Sequence, residues 1–268
     1  IYEELQRIVS HLSWLARCAQ RLSAPPFVVP SLAWQGRETV IQLFQWLGGN
    51  PLTPDAISVG GLAYDVPPGW LDRLDEVLAS LHPLLDDVHV LLGEHKGFRH
   101  QLNRIGIIDP GTALGLGVTG PNLRACGVQY DVRTDFPYAG YGLLDLDVPT
   151  QEKGDAYARY EQRIQEIKAS LHLIGQATTR LPSGPINAFE DPPAIVPPGT
   201  AYASVEAPRG ELGVLIVSTG QERPQRAHIR APSFANLSCL PFIARGTHRE
   251  QLDLILDSFD LSISEVER

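Results

Sequence analysis

Apolar residues recur at three- and four-residue steps from the first turn of the chain. Leu5, Ile8, Leu12, Leu15 and Ala19 make one face of an amphipathic helix that begins at or before Ile1. Pro25-Pro26 should end it, because proline lacks a backbone donor and forces the preceding residue out of the helical region. A second helix is expected over 37–47, closed by Gly48-Gly49-Asn50-Pro51. The stretch 58–69 is turn-rich, and Pro67 or Pro68 can open the next helix. That helix keeps its step through Leu71, Leu74, Leu78, Leu81, Leu85, Val88 and Leu92, with a kink expected at Pro83. From Gly106 to Gly127 no period is sustained, which predicts loop with one short helical turn. Tyr157, Tyr160, Ile164, Ile167, Leu171 and Ile174 mark another long helix, and the Pro-rich stretch 182–198 should be irregular. Between Tyr202 and Arg230 the pattern changes to β-branched alternation around Pro208-Arg209-Gly210 and Gly220, the mark of short antiparallel strands and hairpins. A last helix is expected over 248–257. The fold class is therefore α+β and mainly helical, with a small antiparallel sheet at about 200–231.

A chain of 268 residues can bury a substantial core, and we read residues 1–268 as one domain. Lys and Arg number 22 against 31 Asp and Glu, a net charge of -9. That balance argues against nucleic acid as a partner and supplies no polybasic anchor for anionic lipid. No apolar run approaches the roughly 18 residues of a membrane span. The first residues are acidic and lack the apolar run of a signal peptide, so a soluble, cytoplasmic protein is expected.

Candidate chemistry is sparse. Cys18, Cys126 and Cys239 lie far apart without a Cys-x-x-Cys pair, and read as buried thiols in a reducing compartment. His95 and His100 have no acidic residue to complete a zinc motif. Gly111 to Gly117 is glycine-rich but lacks the preceding strand and the later acidic residue of a dinucleotide site. Arg124, Asp131 and Arg133 set one carboxylate between two guanidiniums, a set suited to a partly buried ion-pair clamp of the scaffold. Glu206, Arg209 and Glu211 bracket a tight turn and predict a salt-bridged hairpin, and Arg230-Ala231-Pro232 should fix the chain as it leaves a strand.

Four blocks follow one another along the chain: Glu4-Leu-Gln-Arg-Ile-Val-Ser-His-Leu12; Gly60-Gly61 with Asp65-Val-Pro67; Gly120 to Arg133 with Pro137-Tyr138 and Tyr141; and Val205-Glu-Ala-Pro-Arg-Gly-Glu211 with Ile229 to Leu237. Together they resemble the 49-kilodalton-type subunit of respiratory complex I, an NADH:quinone oxidoreductase. The tail, Asp260-Leu-Ser-Ile-Ser-Glu-Val-Glu-Arg268, resembles the C-terminus of the wider nickel–iron hydrogenase large-subunit superfamily, whose pattern there is Asp-Pro-Cys-x-x-Cys. On that pattern the thiolates fall at Ser262 and Glu265. A hydroxyl and a lone carboxylate cannot replace a bridging thiolate pair, so no metal site is expected.

The resemblance implies a hydrogenase large-subunit-like helix bundle that walls a quinone pocket beside an iron–sulfur partner subunit. His11, Asp260, Ser262 and Glu265 are the implied pocket residues. Quinone would be the substrate, while NADH and iron–sulfur clusters would sit on partner subunits and no cofactor on this chain. The complex would hold the chain at the inner face of the membrane, with an apolar patch near His11 and the tail turned to its partners. Two departures stand out. The family's β-rich N-terminal region, with the His and Tyr that contact the quinone headgroup, has no match in the sequence, and Arg21 occupies a position that is acidic in the family. The alternatives are a metal-free scaffold subunit of the same superfamily, and the large subunit of a membrane-bound nickel–iron hydrogenase, against which Ser262 and Glu265 speak.

Overall fold

The computed structural model describes residues 1–21, 28–50, 55–189 and 195–267. Helix α1 runs over Tyr2–Arg21 and α2 over Val28–Gly48. The predicted stop at Pro25-Pro26 lies outside the described residues. Helix α2 begins nine residues before the expected Arg37, with Pro30 in its first turn. Proline is tolerated there, since the missing N–H would have had no helical partner. Inside α2, a Cβ built on Gly36 would stand 2.8 Å from Leu84 Cδ1 and 3.4 Å from Leu12 Cδ1, so glycine lets the neighbouring helices approach closely.

A two-residue hairpin, β1 (Ile57–Ser58) and β2 (Gly61–Leu62), leads to α3 (Trp70–Val88). Helix α3 starts after Gly69, whose φ of 79° suits glycine, rather than at Pro67 or Pro68. Pro83 lies within α3, and a wider π-helical turn, His89–Gly93, follows it. Helix α4 (Lys96–Leu102) is capped by His95, whose ring Nδ1 accepts from Phe98 N at 3.1 Å.

Two short helices occupy the glycine-rich region where one was expected. These are α5 (Pro110–Gly115) and α6 (Pro121–Arg124), each opened by a proline. After α7 (Val132–Asp135) comes the long α8 (Ala156–Thr179), capped by Asp155 through Ala158 N. The sheet is β3–β4–β5 (Gly199–Ala207, Gly210–Ser218, Arg226–Arg230), antiparallel throughout, and its first two strands are longer than the pattern suggested. Four helices close the chain: α9 (Pro232–Leu237), α10 (Leu240–Ile243), α11 (Arg249–Phe259) and α12 (Ile263–Val266). Only α11 was foreseen. The other three are too short to show a period, although Pro232 and Pro241 mark two of their starts.

The fold is α+β and mainly helical. The main core joins α1, α2, α3, α4 and α8 through Leu5, Leu12, Phe44, Leu74, Leu85 and Ile167 among others. A smaller cluster around Leu123, Cys239, Ile255 and Phe259 binds the glycine-rich region to α11.

Candidate functional site

Helix α1 is buried on more than its predicted face. Glu4, Arg7, His11, Trp14 and Cys18, at three- and four-residue steps, are also buried. They meet a second polar stripe on α8, Arg159, Arg163, Glu166 and Ser170, equally removed from solvent. His11 Nε2 lies 3.0 Å from Glu166 Oε2, and the other Glu166 oxygen accepts from Arg124 Nε at 2.9 Å and Gln162 Nε2 at 2.8 Å. Burial opposes the charge on Glu166, but Arg124 and His11 outweigh it and hold the carboxyl well below its usual range. Burial lowers the His11 pKa despite Glu166.

At the start of α1, Glu4 receives Arg133 Nη1 at 2.9 Å, Arg7 Nε at 3.3 Å, Tyr141 OH and Ser170 Oγ. Asp131 is gripped by Arg133 through Nε (2.9 Å) and Nη2 (2.7 Å), and stands 3.1 Å from Arg124 Nη1. The structure thus brings Arg124, Asp131 and Arg133 together, and adds Glu4, Arg7, Glu166 and Glu206 to them. Glu206 pairs with Arg124 Nη1 at 2.8 Å, not with Arg209. The salt-bridged hairpin expected of Glu206, Arg209 and Glu211 is therefore absent. Strand alternation sends Glu206 into the body of the protein, the turn sends Arg209 to the tail, and Glu211 pairs with Arg230 at 3.4 Å.

The tail is docked through Asp260, a left-handed residue (φ 53°) that caps α11. Its carboxylate is buried, with Oδ1 2.7 Å from Arg17 Nη2 and Oδ2 3.3 Å from Arg209 Nε. Arg209 Nε also donates to the Asp260 carbonyl at 2.7 Å. Beneath it, Arg163 donates to the carbonyls of Ser258 and Phe259 and lies 4.4 Å from the Trp14 ring centroid. Cations placed on the last carbonyls of α11 suit the negative end of that helix. Glu265 accepts from Ser233 N at 2.9 Å and lies 3.5 Å from Arg209 Nη1. Ser262 N donates to Ser233 Oγ at 3.1 Å.

Of the implied pocket residues, Asp260, Ser262 and Glu265 share the tail. His11 stands apart in the interior at 1 % exposure, so the expected apolar patch does not include it. Near the tail, Phe234, Phe242 and Ile263 are exposed. Arg21 reaches across to Asp257 at 2.9 Å in an exposed pair. Cys18, Cys126 and Cys239 are buried free thiols, and burial pushes Cys18 up to about 12. Among the described residues, no group of three or more His, Cys, Asp or Glu could hold a metal ion, and no helix is long and apolar enough to cross a membrane. The Pro-rich segment around Asp191 lies outside the described residues.

The family model of the respiratory-chain NADH dehydrogenase 49 Kd subunit matches residues 27–198 and 192–268. The chain belongs to this family. The D-type subunit of the NADH-quinone oxidoreductase of Geobacillus kaustophilus is 38% identical over 266 residues, covering 98% of this chain and 72% of the relative. Its counterpart in Syntrophobacter fumaroxidans is 37% identical over 270 residues, 100% of this chain and 72% of its own length. NADH-quinone oxidoreductase subunit 4 of Thermus thermophilus is 36% identical over 297 residues, 100% and 71%. Residues of three of the four sequence blocks meet in the buried network. Glu4, Arg7 and His11 come from the first block, Arg124, Asp131 and Arg133 from the third, and Glu206 from the fourth.

Proposed function

We propose that this chain is the subunit of a complex I-like NADH:quinone oxidoreductase that walls the quinone pocket beside an iron–sulfur partner, itself binding no metal or cofactor. NADH and the clusters belong to partner subunits, which hold the chain against the inner face of the membrane. The observation that carries this reading is the tail. Where the superfamily pattern has two thiolates, Ser262 and Glu265 bond to Ser233, a purely polar seating that leaves no soft ligand for nickel. Quinone reduction consumes two protons and needs an acid group nearby. Asp260, on the same tail, is the carboxylate we assign to that side of the pocket.

One observation favours a second reading. Both Asp260 oxygens already face guanidiniums, as expected of a residue that only seats the tail in a metal-free scaffold subunit. Asp260→Asn in the assembled complex separates the two. The quinone reading expects NADH:quinone activity to fall by about a hundredfold or more, the low end of the effect of removing a proton-transferring group. NADH:ferricyanide activity and subunit content should hold. Wild-type values for both activities would remove Asp260 from the mechanism and leave the scaffold role.

A further inference from the structure

After α7 the chain turns back on itself between Phe136 and Leu143, with Tyr141 N donating to the Tyr138 carbonyl at 2.8 Å. The turn is strained, anchored from behind and apolar at both ends. Ala139 has a φ of 45°, in the left-handed region that few residues other than glycine occupy. Such a conformation persists where its surroundings over-determine it. Tyr138 OH accepts from Glu206 N at 3.0 Å and Tyr141 OH donates to Glu4, so both tyrosines tie the turn to the buried network. A Cβ built on Gly142 would stand 3.4 Å from Pro137 Cβ, which brings the two ends of the turn side by side. Those ends carry Phe136 and Leu143, 66% and 77% exposed, and no large apolar residue among those described is more exposed than Leu143.

From Leu143 the chain runs along the outer face of α8, against its direction, and is held at three points. Arg180, just past α8, donates to the Leu143 carbonyl. Gln176 exchanges two hydrogen bonds of 2.9 Å with the Asp145 backbone, and Gln162 donates to the Pro149 carbonyl at 2.7 Å. Between the second and third points lies a dent of about 180 Å³, lined by Leu146 and Pro149 on its apolar side and by Asp145, Asp147, Lys168 and His172. Lys168 stands 3.7 Å from Asp86 of α3 and forms no ion pair with either aspartate of the dent.

We infer that this turn and the dent beside it form an interface for a partner subunit, which lays apolar residues on Phe136 and Leu143 and sets a lysine or arginine into the dent. The stem of such a side chain can lie along Leu146 and Pro149 while its charged head meets Asp145 and Asp147. An acidic segment would be opposed there by like charge. Exposed apolar residues rimmed by polar ones mark a protein interface, and a turn already fixed from behind costs little further ordering on docking. The interface stands whether or not Asp260 takes part in quinone chemistry.

Leu143→Cys supplies the probe, because Cys18, Cys126 and Cys239 are all buried. Maleimide should label the added thiol at least about tenfold more slowly in the assembled complex than in the isolated full chain. Combining Leu143→Cys with Asp145→Lys and Asp147→Lys should abolish that protection or displace the chain from the complex. Gln176 holds Asp145 through its backbone, so the charge-reversed chain in isolation should keep its Tm within about 2 °C. Should the lysines unfold it, Asp145→Asn with Asp147→Asn keeps the shape and should still weaken protection several-fold. Equal labelling in the isolated chain and the complex would overturn the interface, as would undiminished protection after the aspartates are replaced. Protection in an isolated chain with the mass of a dimer would seat a second copy on this face and overturn it equally.

Discussion

Two parts of the molecule reverse the usual distribution of residues, in opposite senses. Between α1 and α8, Glu4, Arg7, His11, Arg163 and Glu166 are buried in a place where apolar side chains are the norm. On the outer face of the sheet, Ala201, Ala203, Val205, Leu212, Val214, Ile216, Ala227 and Ile229 share one side by register, and Ile216 and Ile229 are exposed at 42% and 48%. The opposite side of the same sheet carries Glu206, Glu211 and Arg230 at the end nearest the β3–β4 turn, and these turn toward the body. Polarity therefore does not measure structural importance in this protein. Burial of a charge is costly unless it is paired and hydrogen-bonded, so each member of the seam depends on the others, whereas an exposed isoleucine depends on little.

The largest expected effect follows from that dependence. Arg124 serves Glu166, Glu206 and Asp131 at once. Replacing it with methionine, Arg124→Met, fills much of the same space but leaves buried carboxylates without a cation. Loss of one partner from a buried ion pair costs about 3–5 kcal/mol, and the full chain should lose at least that in denaturant unfolding. A change below about 1 kcal/mol would mean that the carboxylates simply take up protons and that the seam tolerates neutralisation.

How much of this could be read from the sequence differs between the two regions. The apolar step of Leu5, Ile8, Leu12 and Leu15 located α1 and its packing face, and the alternation from Tyr202 to Arg230 located the sheet. Arg124, Asp131 and Arg133 were recognisable as one set because they lie within ten residues of each other. Their partners were not. Glu4 is 129 positions from Arg133, and His11 is 155 from Glu166. A helical stripe of Glu, Arg and His ordinarily reads as a solvated face. A matching polar stripe on α8, Arg159, Arg163, Glu166 and Ser170, was the available sign that two charged faces bury each other. The tail offered less. Asp260 was singled out by its motif, but Arg17 and Arg209, which hold it, come from a helix and a turn far away in sequence.

A smaller effect separates the titrating groups of the seam. Because burial lowers the His11 pKa, the unfolded chain takes up a proton near pH 6.5 that the folded chain refuses. Stability is then lost as pH falls below about 6.5, at up to ~1.4 kcal/mol per pH unit. Glu166 and Glu4 are held low, so their contribution is complete above the unfolded value of 4.5 and falls away only as pH drops below it. The groups facing His11, namely Glu166 and Arg163 from α8 and Arg7 from its own helix, keep their charge between pH 7 and 5. Urea unfolding at those two pH values should show His11→Gln losing about 1–2 kcal/mol less stability on acidification than the wild type. An equal loss in both would assign the acid response to other groups.

The smallest effect is expected on the outer face of the sheet. Ile216 sits opposite Ala201 on one side and Ala227 on the other, and these directly paired methyl groups leave its side chain 42% exposed. In Ile216→Ser, little apolar contact is lost and the new hydroxyl remains in water. Exposed substitutions of this kind usually fall within about 0.5 kcal/mol, and the modest preference of strands for β-branched residues sets the sign as a slight loss. The central strand β4 keeps all its ladder bonds, because register is fixed from below by Glu206 on Arg124 and by Arg230 donating to the Glu211 carbonyl at 2.8 Å. Denaturant unfolding of Ile216→Ser beside Arg124→Met then measures the contrast directly. A loss above about 2 kcal/mol for the serine variant would show that this apolar face is packed against something in the folded chain, and would remove the asymmetry between the seam and the sheet.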